Sequence, residues 1–133
     1  MRDLPDTPER STFADGLQGS YQSARFDWWR LKIDSRGQCT HEENQSGVQG
    51  SSREVRYGVW APLDDGRVTL SWYREDSDVE VGMSRDRGSR DIKYVEYAVP
   101  RWDGDKVTEL RLGDETTTAD GGGRDTYARV GDW

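Results

Sequence analysis

The stretch VEYAVPRWDGDKVTELRL, from Val95 to Leu112, carries apolar side chains at alternate positions on both sides of Asp103-Gly104. Asp-Gly is among the strongest short-range signals for a two-residue β-hairpin turn. A hairpin closed there places Tyr97 opposite Leu110, and one face of the ribbon is then apolar on both strands. We therefore predict two antiparallel strands, with the odd-numbered side chains from Val95 to Val99 facing the interior.

A second hairpin is predicted at Asp34-Ser35-Arg36-Gly37, which has the composition of a type I turn followed by a left-handed glycine. In that register Leu31 faces His41, and the odd-numbered side chains from Trp29 to Glu43 share one face. We predict that this face points into the core, because it holds the apolar residues of the first strand.

A third hairpin turns at Gly66 and allows two registers. A three-residue loop that ends at Gly66 puts Trp60 opposite Leu70 and Gly58 opposite Trp72. A two-residue turn instead sends Trp60 outward. We favour the first register, because it buries Trp60 and gives Gly58 a place beside a large ring.

Three polar segments predict loops, namely residues 44–52, 74–78 and 84–91. The apolar residues from Val79 to Met83 are predicted to continue the apolar face between the last two of these loops. Further strands are expected from Leu17 to Ser23 and around residues 125–130.

Together these signals predict an all-β protein of about eight or nine strands joined in series by hairpins. We expect a single antiparallel up-and-down meander that closes into a barrel, with a β-sandwich as the alternative. Closure would remove the exposed edges of so polar a sheet. Residues 1–15 are predicted to be a polar N-terminal lead-in, in which at most a short helix forms near residues 8–16. Residues 16–133 are predicted to form one β-barrel domain.

The strand and turn rhythm resembles that of a known family. Gly19-Ser20-Tyr21 opens the first strand, and Gly58-Val59-Trp60 leads to Asp65-Gly66-Arg67-Val68-Thr69-Leu70. This pattern is similar to the small bacterial lipocalin-like (calycin-type) β-barrels, which commonly open with a Gly-x-Trp strand; here Tyr21 stands in place of the tryptophan. The resemblance implies a barrel with a ligand cavity. It carries over no binding residue, because no pocket motif matches position by position.

The composition indicates a thin, aromatic-rich core. Leu, Ile, Val and Phe make up only 21 of the 133 residues, and the formal net charge is −7. Such values are typical of disordered chains. Six tryptophans and six tyrosines supply large buried area, however, and the apolar residues alternate along the chain. We therefore predict a folded domain with a very polar exterior.

Charge and cysteine content limit the partners and the compartment. The acidic balance argues against nucleic-acid binding, because phosphate contacts need a basic surface. A single cysteine, Cys39, forms no internal disulfide. No segment has the length and hydropathy of a membrane span, so no membrane contact is predicted. These features indicate a soluble, cytoplasmic protein, and a mature protein that had lost an export signal would look the same.

Cys39, His41 and Glu43 alternate, so the hairpin register places all three on one inward face. A thiol and an imidazole so placed suit either a nucleophile–base pair or a metal site. We favour the simpler interpretation, in which Cys39 is a small core residue and His41 a hydrogen-bonded interior residue.

The leading hypothesis is a non-enzymatic, lipocalin-like domain that buries a small, partly apolar or aromatic ligand. The candidate ligand-binding residues are Trp29, Leu31, His41, Trp60, Leu70, Trp72 and Tyr97. No catalytic residue, cofactor or metal ligand is predicted. The alternative is an acidic protein-interaction module, of inhibitor or immunity type, whose charge steers a basic protein partner. An enzyme that uses the Cys39/His41 pair is the third hypothesis.

Overall fold

Eight antiparallel strands follow a single short helix within the residues that the computed structural model describes, which are 8–26, 28–48, 50–118 and 123–131. The elements are α1 (Pro8–Leu17), β1 (Gly19–Ser23), β2 (Trp29–Ile33), β3 (Gln38–Gly47), β4 (Gly50–Pro62), β5 (Val68–Val81), β6 (Ser84–Asp103), β7 (Lys106–Gly113) and β8 (Asp125–Gly131).

Each strand pairs with the next one along the chain, and β8 pairs with β1, so the sheet closes into a ring. The predicted all-β class and up-and-down strand order are confirmed. The ring is uneven, because β1 and β2 have 5 residues each whereas β6 has 20. α1 coincides with the short helix that the sequence allows near residues 8–16. Among the described residues, no helix has the length and hydropathy to cross a membrane.

The registers predicted for the second and third hairpins are confirmed. Leu31 pairs with His41 across β2 and β3, and Gly37 has a φ of 107°, in the left-handed region that favours glycine. Gly58 pairs with Trp72 across β4 and β5. A Cβ atom on Gly58 would lie 2.8 Å from Cε3 of the Trp72 ring. The backbone and the indole can therefore approach this closely only because residue 58 has no side chain.

The register predicted for the β6–β7 hairpin is wrong. Asp103 pairs with Lys106, so the turn lies one residue later than expected, and a bulge at Arg101/Trp102 shifts the pairing again. Tyr97 consequently faces Gly113 instead of Leu110. An odd shift exchanges the two faces of a strand. The even-numbered side chains therefore point inward, and Ala98 is fully buried whereas Val95 is 50% exposed.

The loops predicted at residues 44–52, 74–78 and 84–91 are wrong as well, because strands run through most of these residues. β2 pairs with β3 only as far as Glu43, and β7 pairs with β6 only as far as Tyr97. The strand ends beyond the ring project from it as a four-stranded sheet, which we call the arm. The arm comprises residues 44–47, 50–54, 74–81 and 84–91.

Solvent contacts most of the arm, which is held by charge pairs. Arg85 lies 2.7 Å from Asp78, for example. Val79 and Met83 are 37% and 105% exposed, so the prediction that residues 79–83 continue the apolar face is wrong. The arm residues of β3 and β6 are exposed without alternation, and the polar composition of the arm is that of a loop.

The core fills the ring between α1 and the base of the arm. α1 covers one end of the barrel, where Phe13 packs against Trp60 and Trp102 with ring centroids 6.3 and 5.4 Å away. Arg129 donates hydrogen bonds to the carbonyl oxygens of Gly16 and Gln18 and so fixes the end of the helix. The buried core residues are Leu17, Tyr21, Leu31, Ile33, Cys39, Val68, Leu70, Trp72, Ala98, Val107, Leu110, Leu112 and Tyr127.

Candidate functional site

The end of the barrel opposite α1, where the arm leaves the ring, is lined by polar and aromatic side chains. We call this end the mouth. Strand pairing brings the residues together: His41 faces Arg56 across β3 and β4, and Trp72 faces Tyr94 across β5 and β6. The mouth residues are Trp29, His41, Glu43, Arg56, Trp72, Glu75, Tyr94, Glu96 and Tyr127.

A buried hydrogen bond between His41 and Tyr127 lies at the floor of the mouth. His41 Nε2 and the Tyr127 hydroxyl are 2.7 Å apart, and the two residues are 5% and 2% exposed. Burial, with Arg56 adding to it, lowers the pKa of His41 to about 4, and burial raises the pKa of Tyr127. At neutral pH the pair therefore consists of an uncharged imidazole and a protonated phenol.

Two buried nitrogen atoms at the mouth lack a hydrogen-bond partner, namely Nδ1 of His41 and Nε1 of Trp29. The two rings contact each other edge to face, with centroids 5.8 Å apart. Glu43 Oε1 lies 3.9 Å from His41 Nδ1, which is too far for a hydrogen bond. The Glu43 carboxylate lies on the Nδ1 side of the ring and favours the tautomer that carries its proton on Nδ1. In that tautomer the Tyr127 hydroxyl donates to Nε2, and both unpaired atoms are N–H donors. Buried donors of this kind call for an acceptor.

Arg56 organises the charges above this floor. Its guanidinium donates to Glu75 over 3.0 Å and to the Tyr94 hydroxyl over 2.6 Å, and it lies 3.5 Å from Glu43. Burial raises the pKa of Glu43, against the influence of Arg56. Although burial alone would raise the pKa of Glu75, hydrogen bonds from Arg56 and Arg90 lower it. The charged groups of Arg56, Glu43 and Glu75 are thus already paired with one another.

The structure brings together three of the predicted ligand-binding residues, because Trp29 and Trp72 both contact the His41 ring. Leu31 and Leu70 are fully buried deeper in the core. Trp60 lies at the closed end, where its Nε1 donates to the carbonyl oxygen of Asp34.

Tyr97 lies on the outer surface of the barrel. The Arg67 guanidinium stacks on its ring, with the guanidinium carbon 5.2 Å from the ring centroid. Its predicted inward orientation is wrong, because the register shift of the β6–β7 hairpin turns it outward.

Sequence reasoning missed five mouth residues, namely Arg56, Glu75, Tyr94, Glu96 and Tyr127. One signal for Arg56 exists: Gly47 pairs with Gly50, and the same register continued along β3 and β4 places Arg56 opposite His41, but the polar composition of that segment suggested a long loop. Tyr127 alternates with Asp125 and Arg129 in β8, a face that looks polar although Tyr127 is part of the core.

The environment of Cys39 opposes the hypothesis of a nucleophile. Burial, with the carboxylates of Asp34 and Glu96 adding to it, raises the pKa of the thiol to about 12. The thiol is therefore protonated at neutral pH, whereas an activated nucleophile needs a lowered pKa. In the described part of the chain, no group of three or more His, Cys, Asp or Glu side chains is placed to hold a metal ion.

Two concavities of about 580 and 590 Å³ lie on the outer face of the sheet and share Arg53, Val55 and Tyr57. Their charged groups are largely satisfied within the protein. Arg53 binds Glu42 over 2.8 Å, and Arg74 stacks on Tyr57 with its guanidinium carbon 4.3 Å from the ring centroid. They differ in this respect from the mouth, where two buried donors are unpaired.

Comparison with protein-family models, with curated proteins and with solved structures finds no match to this chain. The antiparallel eight-stranded ring is compatible with a barrel fold, as the resemblance implies. A lipocalin-like relationship, a ligand and a basic protein partner stay predictions.

Proposed function

We propose that this protein is a non-enzymatic binding protein whose ligand is a small, uncharged aromatic molecule with a carbonyl or similar acceptor oxygen. The ligand enters the mouth and accepts hydrogen bonds from Trp29 Nε1 and His41 Nδ1. The observation that carries this proposal is the pair of buried donors without a partner in neighbouring rings. A buried N–H without an acceptor costs about 1–3 kcal/mol, and an acceptor on a ligand would remove that penalty.

The walls of the mouth suit an aromatic ligand. Trp29 contacts Phe26, with ring centroids 4.5 Å apart, and Trp72 lies on the other side of His41. Flat, rigid rings provide much contact area with little loss of side-chain freedom. The acceptor belongs to an uncharged ligand, because His41 is neutral and Arg56 is already bound to Glu43 and Glu75. An anionic ligand would have to break these pairs.

The direct test is isothermal titration calorimetry with a panel of neutral aromatic ketones and amides. Trp29→Phe keeps a ring at this position and removes the indole N–H. We expect it to weaken binding by roughly 3- to 10-fold, which corresponds to one hydrogen bond.

Trp28→Phe is the matched control, because Trp28 is the preceding residue and is 39% exposed, so the affinity should not change. The proposal is wrong if no member of the panel binds, or if the two variants lose affinity equally.

A further inference from the structure

In the arm, β6 is an edge strand that pairs with β5 on one side only. β6 pairs with β5 from Ser84 onward, but β7 reaches only as far as Tyr97. In the described part of the chain, no strand pairs with the other side of residues 84–96. Residues 84–91 are all exposed. We call residues 84–92 the free edge, and we propose that it pairs with the same edge of a second copy of this chain.

In this pairing the two edges run antiparallel about a twofold axis that passes through Gly88. The two four-stranded arms then form one continuous sheet. An exposed edge presents a row of backbone N–H and C=O groups that is ready to accept another strand. A twofold axis makes the contact isologous and closed, so it ends at a dimer.

The order of charges around Gly88 is self-complementary. The sequence of the edge is Arg85-Asp86-Arg87-Gly88-Ser89-Arg90-Asp91. With Gly88 opposite its own copy, Arg85 lies opposite Asp91 of the second chain, and Asp86 lies opposite Arg90. Each of these two pairs occurs twice by symmetry. Opposite charges directly across an antiparallel pair are stabilising.

Neighbouring registers lack this property. A shift of one residue in one direction places Arg85 opposite Arg90. A shift of one residue in the other direction places Asp86 opposite Asp91 and Arg87 opposite Arg90. Like charges directly opposite each other are destabilising. The registers that keep a twofold axis shift by two residues: an axis through Arg87 places that arginine opposite its own copy, and an axis through Ser89 forms, within residues 84–92, only the two Arg87–Asp91 pairs. The register centred on Gly88 forms four opposite-charge pairs and is therefore the one that the charges favour.

The alternation of charge extends across both arms. Within one chain Arg74 pairs with Asp91, and Arg85 pairs with Glu80. In the dimer, one row of neighbouring side chains would cross β5 and β6 of one copy and then β6 and β5 of the other. Its members are Arg74 and Asp91 of the first copy, followed by Arg85 and Glu80 of the second, so the charge changes sign from each residue to the next. On the opposite face Glu75 pairs with Arg90, which meets Asp86 of the second copy.

Asp86 is the residue that gains most from a second copy. Its cross-strand neighbour on β5 is the uncharged Val79, whereas Arg85 and Arg90 already bind carboxylates of β5. Gly88 has no side chain to obstruct the axis, and a Cβ atom there would approach only Ser77 Oγ, at 3.3 Å. A second copy is therefore the occupant that the charges specify.

The test is sedimentation equilibrium over a range of protein concentrations, in which we expect a dimer that dissociates on dilution. Asp86→Arg places two arginines opposite each other at two symmetric positions, and Arg90→Asp does the same with two aspartates. For each variant alone, the dissociation constant of the dimer should rise by about tenfold or more. An equimolar mixture of the two should form a heterodimer, because every contact between them is again an opposite-charge pair.

Asp103→Arg and Arg101→Asp are the matched controls, since they make the same charge changes in exposed positions at the other end of β6. Both should dimerise like the unchanged protein. If Arg90→Asp does not fold, because it also loses its contact with Glu75, Asp91→Arg provides a second test, since it places an arginine opposite Arg85 of the second copy at two symmetric positions. The proposal is overturned by a protein that stays monomeric up to its solubility limit, by a dimer that is insensitive to Asp86→Arg, or by a mixture that restores no dimer.

Discussion

His41 is uncharged at neutral pH in the folded protein, and this state affects the pH dependence of stability. Its pKa is lowered to about 4 by burial, whereas an exposed histidine in the unfolded chain has a pKa of about 6.5. Between these values the unfolded state binds a proton that the folded state does not. The free energy of unfolding therefore falls as the pH falls through this window, by roughly 3 kcal/mol when the pH is below both values.

The first prediction follows from that difference. His41→Gln removes the only histidine in the chain and should abolish this component of the pH dependence. Urea unfolding of both proteins between pH 4 and pH 7 measures it, and the carboxylates distant from residue 41 cancel in the difference. A difference that stays constant across the window would contradict the assigned state of His41.

The second prediction concerns the partner of His41. Tyr127→Phe leaves Nε2 buried without a hydrogen bond and should lower the free energy of unfolding by about 1–3 kcal/mol. Tyr97→Phe is the control, because Tyr97 lies on the outer surface, and its effect should stay within about 0.5 kcal/mol. Equal effects in chemical denaturation would show that the buried hydrogen bond contributes nothing.

The inward position of His41 could be predicted from the sequence, whereas its partner could not. A tight turn at Gly37 fixes the hairpin register, and the alternation of side chains along a strand then places His41 on the same inward face as Leu31. Tyr127 is 86 residues away along the chain. Local patterns state which face a side chain occupies, but they do not state which distant residue it meets there.

Among the elements, the β4–β5 hairpin depends on one close contact. Gly58→Ala would place a Cβ atom 2.7 Å from the carbonyl oxygen of Ser71, in addition to the contact with Trp72. Backbone cannot yield as a flexible side chain can, so we expect a loss of about 1–3 kcal/mol from overpacking. Gly47→Ala is the matched control, because nothing lies within 4 Å of its added Cβ. Thermal unfolding of the two variants compares them, and an equal loss would contradict the packing argument.

The hairpins differ in how far their sequences determine them. The turns at Gly37 and Gly66 fix the registers of their strands, since β2 and β3 pair without a bulge and the bulge of β4, at Tyr57/Gly58, lies beyond the pairs nearest the turn. The register predicted for the β6–β7 hairpin is wrong because a bulge adds an odd shift, and no residue type in the sequence indicates that bulge. The loops predicted for the arm are wrong for another reason. Its strands are held by charge pairs and not by burial, so their side chains carry no period of two in hydropathy.

At the scale of the molecule, one end of the barrel is covered by a helix and the other holds buried polar atoms without a hydrogen-bond partner. α1 covers the first end with Phe13 and Leu17, and the mouth holds the unpaired donors of Trp29 and His41. The strand count and serial hairpins predict a meander, but the pairing of β1 with β8 that closes the ring has no local signature. It is a property of the whole sheet, whose edges would otherwise be exposed.

The most direct test of this account is a nitrogen-15 NMR titration of the tryptophan indole N–H groups with an aromatic ketone or amide that binds. Binding at the mouth predicts that the Trp29 indole proton shifts furthest, as it gains an acceptor, and that Trp72 responds through its contact with His41. Trp60 and Trp102, which pack against Phe13 at the closed end, should not move. Shifts at Trp60 or Trp102 with an unchanged Trp29 would contradict the account.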